Sequence, residues 1–323
     1  MPRSTLVFGN GLGRTLDNDF FQLRTALGDV WEHSENFTRE QRELVISALP
    51  DTNPDRFPCS EDQLDKLQIA LISADFLRSF ENNEVRWLTE ESRKLPAAFK
   101  RYVHEVAAYF HMSGQNLPPA FTRPLVDFIR ETTSHVATLN YDNLLYDALT
   151  QAGVLRGYYD TLIDGFTMRA GFSPLHLDRH ATEEKSWYLH LHGSPLYIGN
   201  RKLMGVERGF LSPSDTSHIV LAPVAHKPII ISGSHILTEY WNRLATALGE
   251  SQKAILVGYS GTDSHLNKVI NDRLPSREIA ILERLSNETL ESRQRHWHRQ
   301  FPQARITIHR AESLFHFNDW NAL

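Results

Sequence analysis

The sequence predicts an α/β protein whose mostly parallel sheet has helices on both faces and a helical insertion after the first strand. Two observations lead to this fold class. Short apolar, β-prone runs alternate with helical stretches in the second half of the chain, which favours a covered parallel sheet. The first β-prone run, Ser4–Phe8, is followed by a long helical segment instead of a second strand.

The remaining elements follow from apolar runs and their periodicity. After Ser4–Phe8, strands are predicted at residues 135–139, 186–192, 218–222, 228–231, 253–258, 278–282 and 305–309. Helices are predicted between several of them, at residues 144–150, 237–248, 264–273 and 287–300. A strand followed by a glycine-rich turn, as at the start of this chain, is how a nucleotide-binding βαβ unit begins.

Residues 38–131, called here the helical segment, have helical periodicity. One expected apolar face contains Leu64, Leu67, Leu71 and Ile72. Pro96 suits a first helical turn, and it precedes an apolar repeat at threes and fours, formed by Phe99, Val103, Val106 and Phe110. We therefore expect one domain formed by residues 1–37 and 132–323, with residues 38–131 as an inserted subdomain.

Composition excludes several classes of function. The 323-residue chain has a formal net charge of −5, and without a basic excess it offers no support for nucleic-acid binding. No stretch approaches the ~20 apolar residues of a membrane span, and the first residues lack the apolar core of a signal peptide. Cys59 is the only cysteine, so a disulfide within the chain and a cysteine-based zinc site are both excluded. We expect a cytoplasmic protein.

A glycine-rich loop follows the first strand. Gly9, Asn10, Gly11 and Gly13 lie in a G-x-G-x-G pattern, in which the backbone can turn tightly and approach a diphosphate. The spacing differs from the full G-x-G-x-x-G fingerprint, and such a turn is about as often a plain structural connection.

Two polar turns follow later strands. Thr138, Asn140 and Asp142 come at the end of one strand, where open α/β sheets place ligands, although one such residue alone more often caps a helix. Strand alternation is expected to send His190 and His192 to one face, and a histidine before a glycine at a strand end suits a general base. The alternative for His192 is a buried histidine with a satisfied hydrogen bond.

The last motif is a glycine–serine turn after the strand at residues 253–258. Gly258 and Ser260 lie where backbone N–H groups could meet a phosphate or a ribose. The alternative is a strand-to-helix loop capped by Thr262 or Asp263.

The four motifs, in this order, resemble the sirtuin-like superfamily, and most closely its divergent bacterial branch of NAD-consuming anti-phage defence proteins. The glycine loop, the T-x-N-x-D turn, the H-G pair at His192 and Gly193, and the G-x-S turn each have a counterpart there. Glu283 corresponds to the end of the adenosine-side strand. The resemblance implies a Rossmann-like fold and NAD as substrate.

The resemblance also implies roles for individual residues. Asn140 would bind the nicotinamide ribose and the attacking water, and Asp142 would hydrogen-bond the carboxamide. His192 would act as the base. The diphosphate would lie on the glycine loop and the Gly258–Ser260 turn, and Glu283 would accept from an adenosine ribose hydroxyl.

One departure from the family pattern bears on the reaction. Deacylating sirtuins carry a four-cysteine zinc module, which one cysteine cannot form, so the resemblance implies NAD hydrolysis to nicotinamide and ADP-ribose without zinc. Because unrestrained NAD depletion would kill the cell, we expect control by a homo-oligomer or by a partner protein of the same defence system. The helical segment and the C-terminal tail, residues 287–323, are the surfaces expected to contact the partner.

Other functions stay open from the sequence alone. A metal-dependent hydrolase could use His190 and His192, or His176 and His180 with nearby carboxylates, although the spacing matches no metal signature. A serine hydrolase is weaker, because the turn at Ser260 lacks the second glycine of the G-x-S-x-G elbow. A non-catalytic NAD-sensing or assembly subunit, a deacylase and an ADP-ribosyltransferase also remain.

Overall fold

The structure is a computed structural model that describes residues 2–33, 35–50, 55–78, 89–157, 160–167, 170–179, 184–203, 218–222 and 226–323. Its strands are β1 (Ser4–Phe8), β2 (His135–Thr138), β3 (Leu162–Ile163), β4 (Phe166–Thr167), β5 (Gly171–Phe172), β6 (Ser186–His190), β7 (Tyr197–Ile198), β8 (Arg201–Lys202), β9 (Lys253–Val257), β10 (Glu278–Arg284) and β11 (Arg305–Ala311). Its helices are α1 (Gly11–Leu16), α2 (Leu23–His33), α3 (Arg39–Ala48), α4 (Asp65–Arg78), α5 (Glu90–Tyr109), α6 (Pro119–Thr132), α7 (Leu144–Gln151), α8 (Lys227–Ser232), α9 (His235–Gly249), α10 (Ser264–Arg273) and α11 (Leu290–Gln300).

The central sheet has seven strands in the order β11-β10-β9-β1-β2-β6-β3, and neighbouring strands run parallel. Helices pack around it, which confirms the predicted α/β, Rossmann-like fold class. The register places the end of β1 level with the ends of β2 and β9, through the pairs Phe8–Thr138 and Phe8–Val257. The chain builds outward from β1 in both directions, so a topological switch point lies between β1 and β9, where such sheets bind ligands.

The core explains why β1 and β9 consist mostly of apolar residues instead of alternating apolar and polar ones. All five residues of β1 are buried, as expected for a strand covered on both faces. The C-terminal tail joins the same core, because Trp320 is 2% exposed and its ring contacts Phe8, Phe121 and Phe128. Within the described ranges, no helix combines the length and the apolar character needed to cross a membrane.

The helical segment differs from the prediction in two details. Leu64, Leu67 and Leu71 are buried as expected, but Ile72 is 37% exposed and does not share their buried face. The prediction that Pro96 occupies a first helical turn is wrong, because α5 begins at Glu90 and carries Pro96 in its interior. The division into a domain and an inserted subdomain stays a prediction.

Two predicted strands are absent as strands in the described residues. Residues 228–231 lie in α8, because a short apolar run fits a helix as well as a strand, and Pro228 is tolerated in a first helical turn. Residues 218–222 form a single bridge, between Ile219 and Gly193, instead of a strand. Val220 holds this stretch in place by donating its N–H to the His192 oxygen at 2.9 Å.

The loops after β1 and β9 touch through their backbones. The Gly11 N–H donates to the Gly258 oxygen at 2.8 Å, and the Gly9 N–H donates to the Val257 oxygen at 2.9 Å. A Cβ at Gly11 would lie 2.6 Å from the Gly258 oxygen, closer than side chains come to backbone atoms. Glycine is therefore required at Gly11 so that these two loops can meet.

We predict that Gly11→Ala lowers the free energy of unfolding by about 1–3 kcal/mol, because the added methyl group forces the two loops apart. Gly249→Ala is the matched control, since its Cβ would find its nearest neighbour at 3.9 Å, and alanine in a helix is neutral or stabilising by up to about 1 kcal/mol. Urea unfolding of both variants measures the difference. Equal stability of the two would contradict the proposed contact.

Candidate functional site

A cavity of about 630 Å³ opens at the carboxyl ends of β1 and β9, and its volume is typical of small-molecule sites. It brings together most of the residues that the sequence motifs single out, namely Gly9, Asn10, Gly11, Asn140, Asp142, His192, Gly258, Ser260 and Glu283. Gly13, Thr138 and Gly193 lie beside the cavity without lining it. A Cβ at Gly13 would meet the Phe21 ring at 2.7 Å, so this glycine allows close packing behind the loop.

Asn140 lies in the turn after β2 and is 5% exposed. Its backbone N–H donates to the Thr138 hydroxyl at 3.1 Å, which explains why Thr138 supports the turn without lining the cavity. Among the described residues, neither Nδ2 nor Oδ1 of Asn140 has a hydrogen-bond partner. A buried amide without partners is costly, which indicates a group that a ligand can satisfy.

Asp142 has both roles that the sequence left open, because it stabilises the start of a helix and also lines the cavity. Its Oδ1 accepts from the Leu144 N–H at 3.1 Å, so the carboxyl does stabilise the start of α7. It also lines the cavity. Burial raises the pKa of Asp142 to about 7, against the smaller effect of the backbone hydrogen bond from Leu144. The carboxyl can thus donate or accept near neutral pH.

His192 lies two residues beyond the end of β6. Its Nε2 is 3.0 Å from Oδ2 of Asp263, so the histidine has the satisfied hydrogen bond of the alternative interpretation and also lines the cavity. Gly193 has a φ of +81°, and a Cβ there would lie 1.5 Å from the His218 oxygen. Only glycine fits this turn, which directs the chain from His192 to the bridge with Ile219.

His190 and His192 have different surroundings, so their predicted common face does not create a common site. The His190 ring packs against Tyr146, Tyr188 and Tyr197, and burial lowers the pKa of His190 to about 3. No group of three or more metal-ligating side chains occurs in the part of the chain that the structure describes. His180, a ligand candidate of the metal alternative, lies outside the described residues.

The two glycine turns shape the cavity, and several of their hydrogen-bond donors are already used within the protein. The N–H groups of Gly9 and Gly11 are used by the backbone contact to the β9 loop, and the Asn10 side chain donates to the Phe21 oxygen at 2.8 Å. Arg14, on α1, lines the same cavity and supplies a positive charge there. Its charge is suited to a bound anion such as a diphosphate. Diphosphate binding at these turns stays a prediction.

Ser260 and Glu283 have side-chain contacts within the protein. The Ser260 hydroxyl is 2.8 Å from the Thr262 hydroxyl. The carboxylate of Glu283, at the end of β10, accepts three hydrogen bonds from Arg293 and one from Trp297, between 2.7 and 3.1 Å. The proposed hydrogen bond from Glu283 to a ribose hydroxyl therefore stays a prediction and would add to an already bonded carboxylate.

Several charged residues of the cavity were not assigned to it from the sequence, and three of them form a series of contacts with His192. The sequence indicates Asp263 only as a helix cap, and its Oδ1 does accept from the Leu266 N–H at 3.0 Å. Its other oxygen, Oδ2, faces His192. Lys227 lies directly before the strand predicted at residues 228–231, and Glu61 lies in the helical segment. The turn motif ending in Asp263 was the only signal, because the other two reach the site through tertiary contacts.

The fold and the site define a doubly wound α/β protein with a ligand cavity at its switch point. The family model for the SIR2-like domain matches residues 134–297, which are 164 of the 323 residues, and the chain belongs to this family. No curated protein matches the sequence. The matched range contains Asn140, Asp142 and His192, and membership indicates a function related to NAD.

The raised pKa of Asp142 predicts a pH-dependent stability. Since the native state favours the protonated carboxyl, the group's stabilising contribution is complete at low pH and is lost as the pH rises through about 7. Asp142→Asn retains the acceptor for Leu144 and does not ionise. We predict that the unfolding free energy of Asp142→Asn relative to the wild type increases between pH 5 and 8, by up to about 3 kcal/mol. Urea unfolding across this range measures it, and a constant difference would refute it.

Proposed function

We propose that the protein is an NAD glycohydrolase, which cleaves the nicotinamide–ribose bond of NAD to give nicotinamide and ADP-ribose. The observation that carries the proposal is the buried Asn140 amide, which has no hydrogen-bond partner among the described residues and lines the same cavity as His192. Membership of the SIR2-like family supports NAD as the ligand.

In the proposed reaction, a water oxygen bonds to C1′ of the ribose while the C1′–nitrogen bond breaks. The bonding electron pair leaves with nicotinamide, and the proton of the water passes to His192. A general base of this kind contributes about 10²–10⁴-fold to the rate. Asn140 would hold the ribose and the water in place, which lowers the entropic part of the barrier.

Asp142 would orient the leaving group. Because the pKa of this carboxyl lies near neutrality, the protonated form can donate to the carboxamide oxygen and the ionised form can accept from its NH₂ group. Hydrolysis is favoured over deacylation, since the chain's single cysteine cannot provide the four-cysteine module associated with deacylating sirtuins.

A role in anti-phage defence by NAD depletion, in the cytoplasm, is the biological part of the proposal. It includes control by self-assembly or by a partner protein, because an NAD hydrolase without control would be harmful to its own cell. Ile69 in the helical segment is 51% exposed, whereas Trp320 in the tail is buried, so we place the partner contact on the helical segment.

We predict that incubation with NAD releases nicotinamide, and that His192→Ala and Asn140→Ala each reduce turnover at least about 100-fold without loss of fold. Chromatography measures nicotinamide, and calorimetry measures NAD binding. His298→Ala, at an exposed position on α11, is the control and should retain full turnover. NAD binding with no product in any protein would favour the non-catalytic NAD-sensing subunit instead, and wild-type turnover in both site variants would refute the site.

The defence role predicts that cells expressing the wild-type protein lose NAD and restrict phage after infection, whereas cells expressing His192→Ala do neither. Phage plating and cellular NAD after challenge measure this, with His298→Ala as the matched control. Equal restriction of phage by the wild type and by His192→Ala would show that protection does not depend on NAD cleavage, and it would contradict the defence role proposed here.

A further inference from the structure

A series of contacts between charged side chains connects His192 with the helical segment. His192 Nε2 lies 3.0 Å from Asp263 Oδ2, and Lys227 Nζ lies 2.9 Å from the same oxygen. Lys227 Nζ also lies 3.0 Å from Oε2 of Glu61. The side chains of His192, Asp263 and Lys227 are at most 8% exposed, and Glu61 is 23% exposed. These contacts are therefore largely shielded from solvent. Charge pairs interact more strongly in the protein interior than in water.

The charges of Asp263 and Lys227 determine which ring nitrogen of His192 carries the hydrogen. Burial would raise the pKa of Asp263, but its hydrogen bond with His192 and the charge of Lys227 outweigh burial and hold that pKa below its usual range. An ionised carboxylate can only accept hydrogen bonds. Nε2 of His192 must then be the protonated nitrogen, and in the neutral ring the lone pair lies on Nδ1.

Lys227 has two carboxylate partners on different parts of the chain. It is the first residue of α8, whereas Glu61 begins the short 3-10 helix Glu61–Leu64. Leu64 is fully buried and anchors that helix in the core. Glu61 takes up part of the positive charge of Lys227, so the strength of the Lys227–Asp263 contact depends on where the helical segment holds Glu61.

We infer that Asp263 is a positioning residue that fixes the Nε2–H tautomer and the orientation of His192, and that the Lys227–Glu61 pair connects this arrangement to the helical segment. The inference deepens the proposed function, on which its consequence for turnover rests. Asp263 acts through His192, in the way that a buried carboxylate orients the histidine of a catalytic triad.

Asp263→Asn is the informative variant. Asparagine can still cap α10 by accepting from the Leu266 N–H, so the fold is retained, but the negative charge that selects the Nε2–H tautomer is lost. Asp272→Asn is the matched control, because Asp272 is an exposed residue near the end of α10 that pairs with Lys268. The wild-type and variant proteins are compared as full chains.

The first measurement needs no NAD. Two-bond ¹H–¹⁵N spectra of ¹⁵N-histidine-labelled protein distinguish the two tautomers, and the His192 signals are identified by their absence in His192→Ala. We expect the Nε2–H tautomer in the wild type and in Asp272→Asn, and a mixture or the Nδ1–H tautomer in Asp263→Asn. An Nδ1–H wild type, or an unchanged tautomer in Asp263→Asn, would overturn the assignment.

The second measurement is turnover with NAD. Asp263→Asn should lower kcat about 10²–10⁴-fold with little change in KM, because the base is misplaced while ligand contacts remain. A rise in KM at unchanged kcat would contradict a positioning role. Absence of turnover in the wild type would count against the proposed function, and the tautomer spectra would still decide the role of Asp263.

The connection to the helical segment has its own test. Glu61→Gln removes a charge that does not touch His192, yet it should move the His192 ring signals, because Lys227 then interacts with Asp263 alone. Asp272→Asn should leave these signals in place. His192 signals identical to wild type in Glu61→Gln would overturn this part of the inference.

Discussion

The site depends on the backbone contact between the loops after β1 and β9. The Gly11 N–H donates to the Gly258 oxygen, and the absence of side chains at both positions lets the loops lie against each other. This contact holds the two strand ends together at the switch point, where the direction of chain winding reverses and a crevice must form. Polar residues after the neighbouring strands then face one cavity, including Asn140 and His192, which are 52 positions apart in the sequence.

Two buried carboxyl groups in this cavity have pKa values displaced in opposite directions. Asp142 has only backbone N–H groups to offset its burial, and its pKa rises to about 7. Asp263 faces His192 and Lys227, and their effects outweigh its burial and lower its pKa. Pairs of carboxyl groups displaced in this way commonly divide acid and base roles in active sites. In the proposed function, Asp142 would hydrogen-bond the ligand and Asp263 would position the histidine.

The sequence predicted what depends on local pattern. Buried parallel strands are rich in apolar residues, so β1, β2, β9 and β10 could be located, and polar turns at strand ends indicated the candidate site. The sequence could not distinguish a short helix from a strand at residues 228–231, since a short apolar run fits both. Lys227 and Glu61 could not be assigned to the site, because only folding brings them within 3.0 Å of each other.

The helical segment forms a wall of the site as well as a layer outside the sheet. Besides the Glu61 contact, His111 Nε2 lies 2.8 Å from the Tyr141 oxygen, in the turn between Asn140 and Asp142, and Phe110 stacks on the Tyr141 ring. The segment thus contacts both the Asn140 turn and the series of charged contacts that ends at His192. A partner bound to its outer helices has a physical route to both groups, since a displacement of the segment changes contacts on two sides of one cavity.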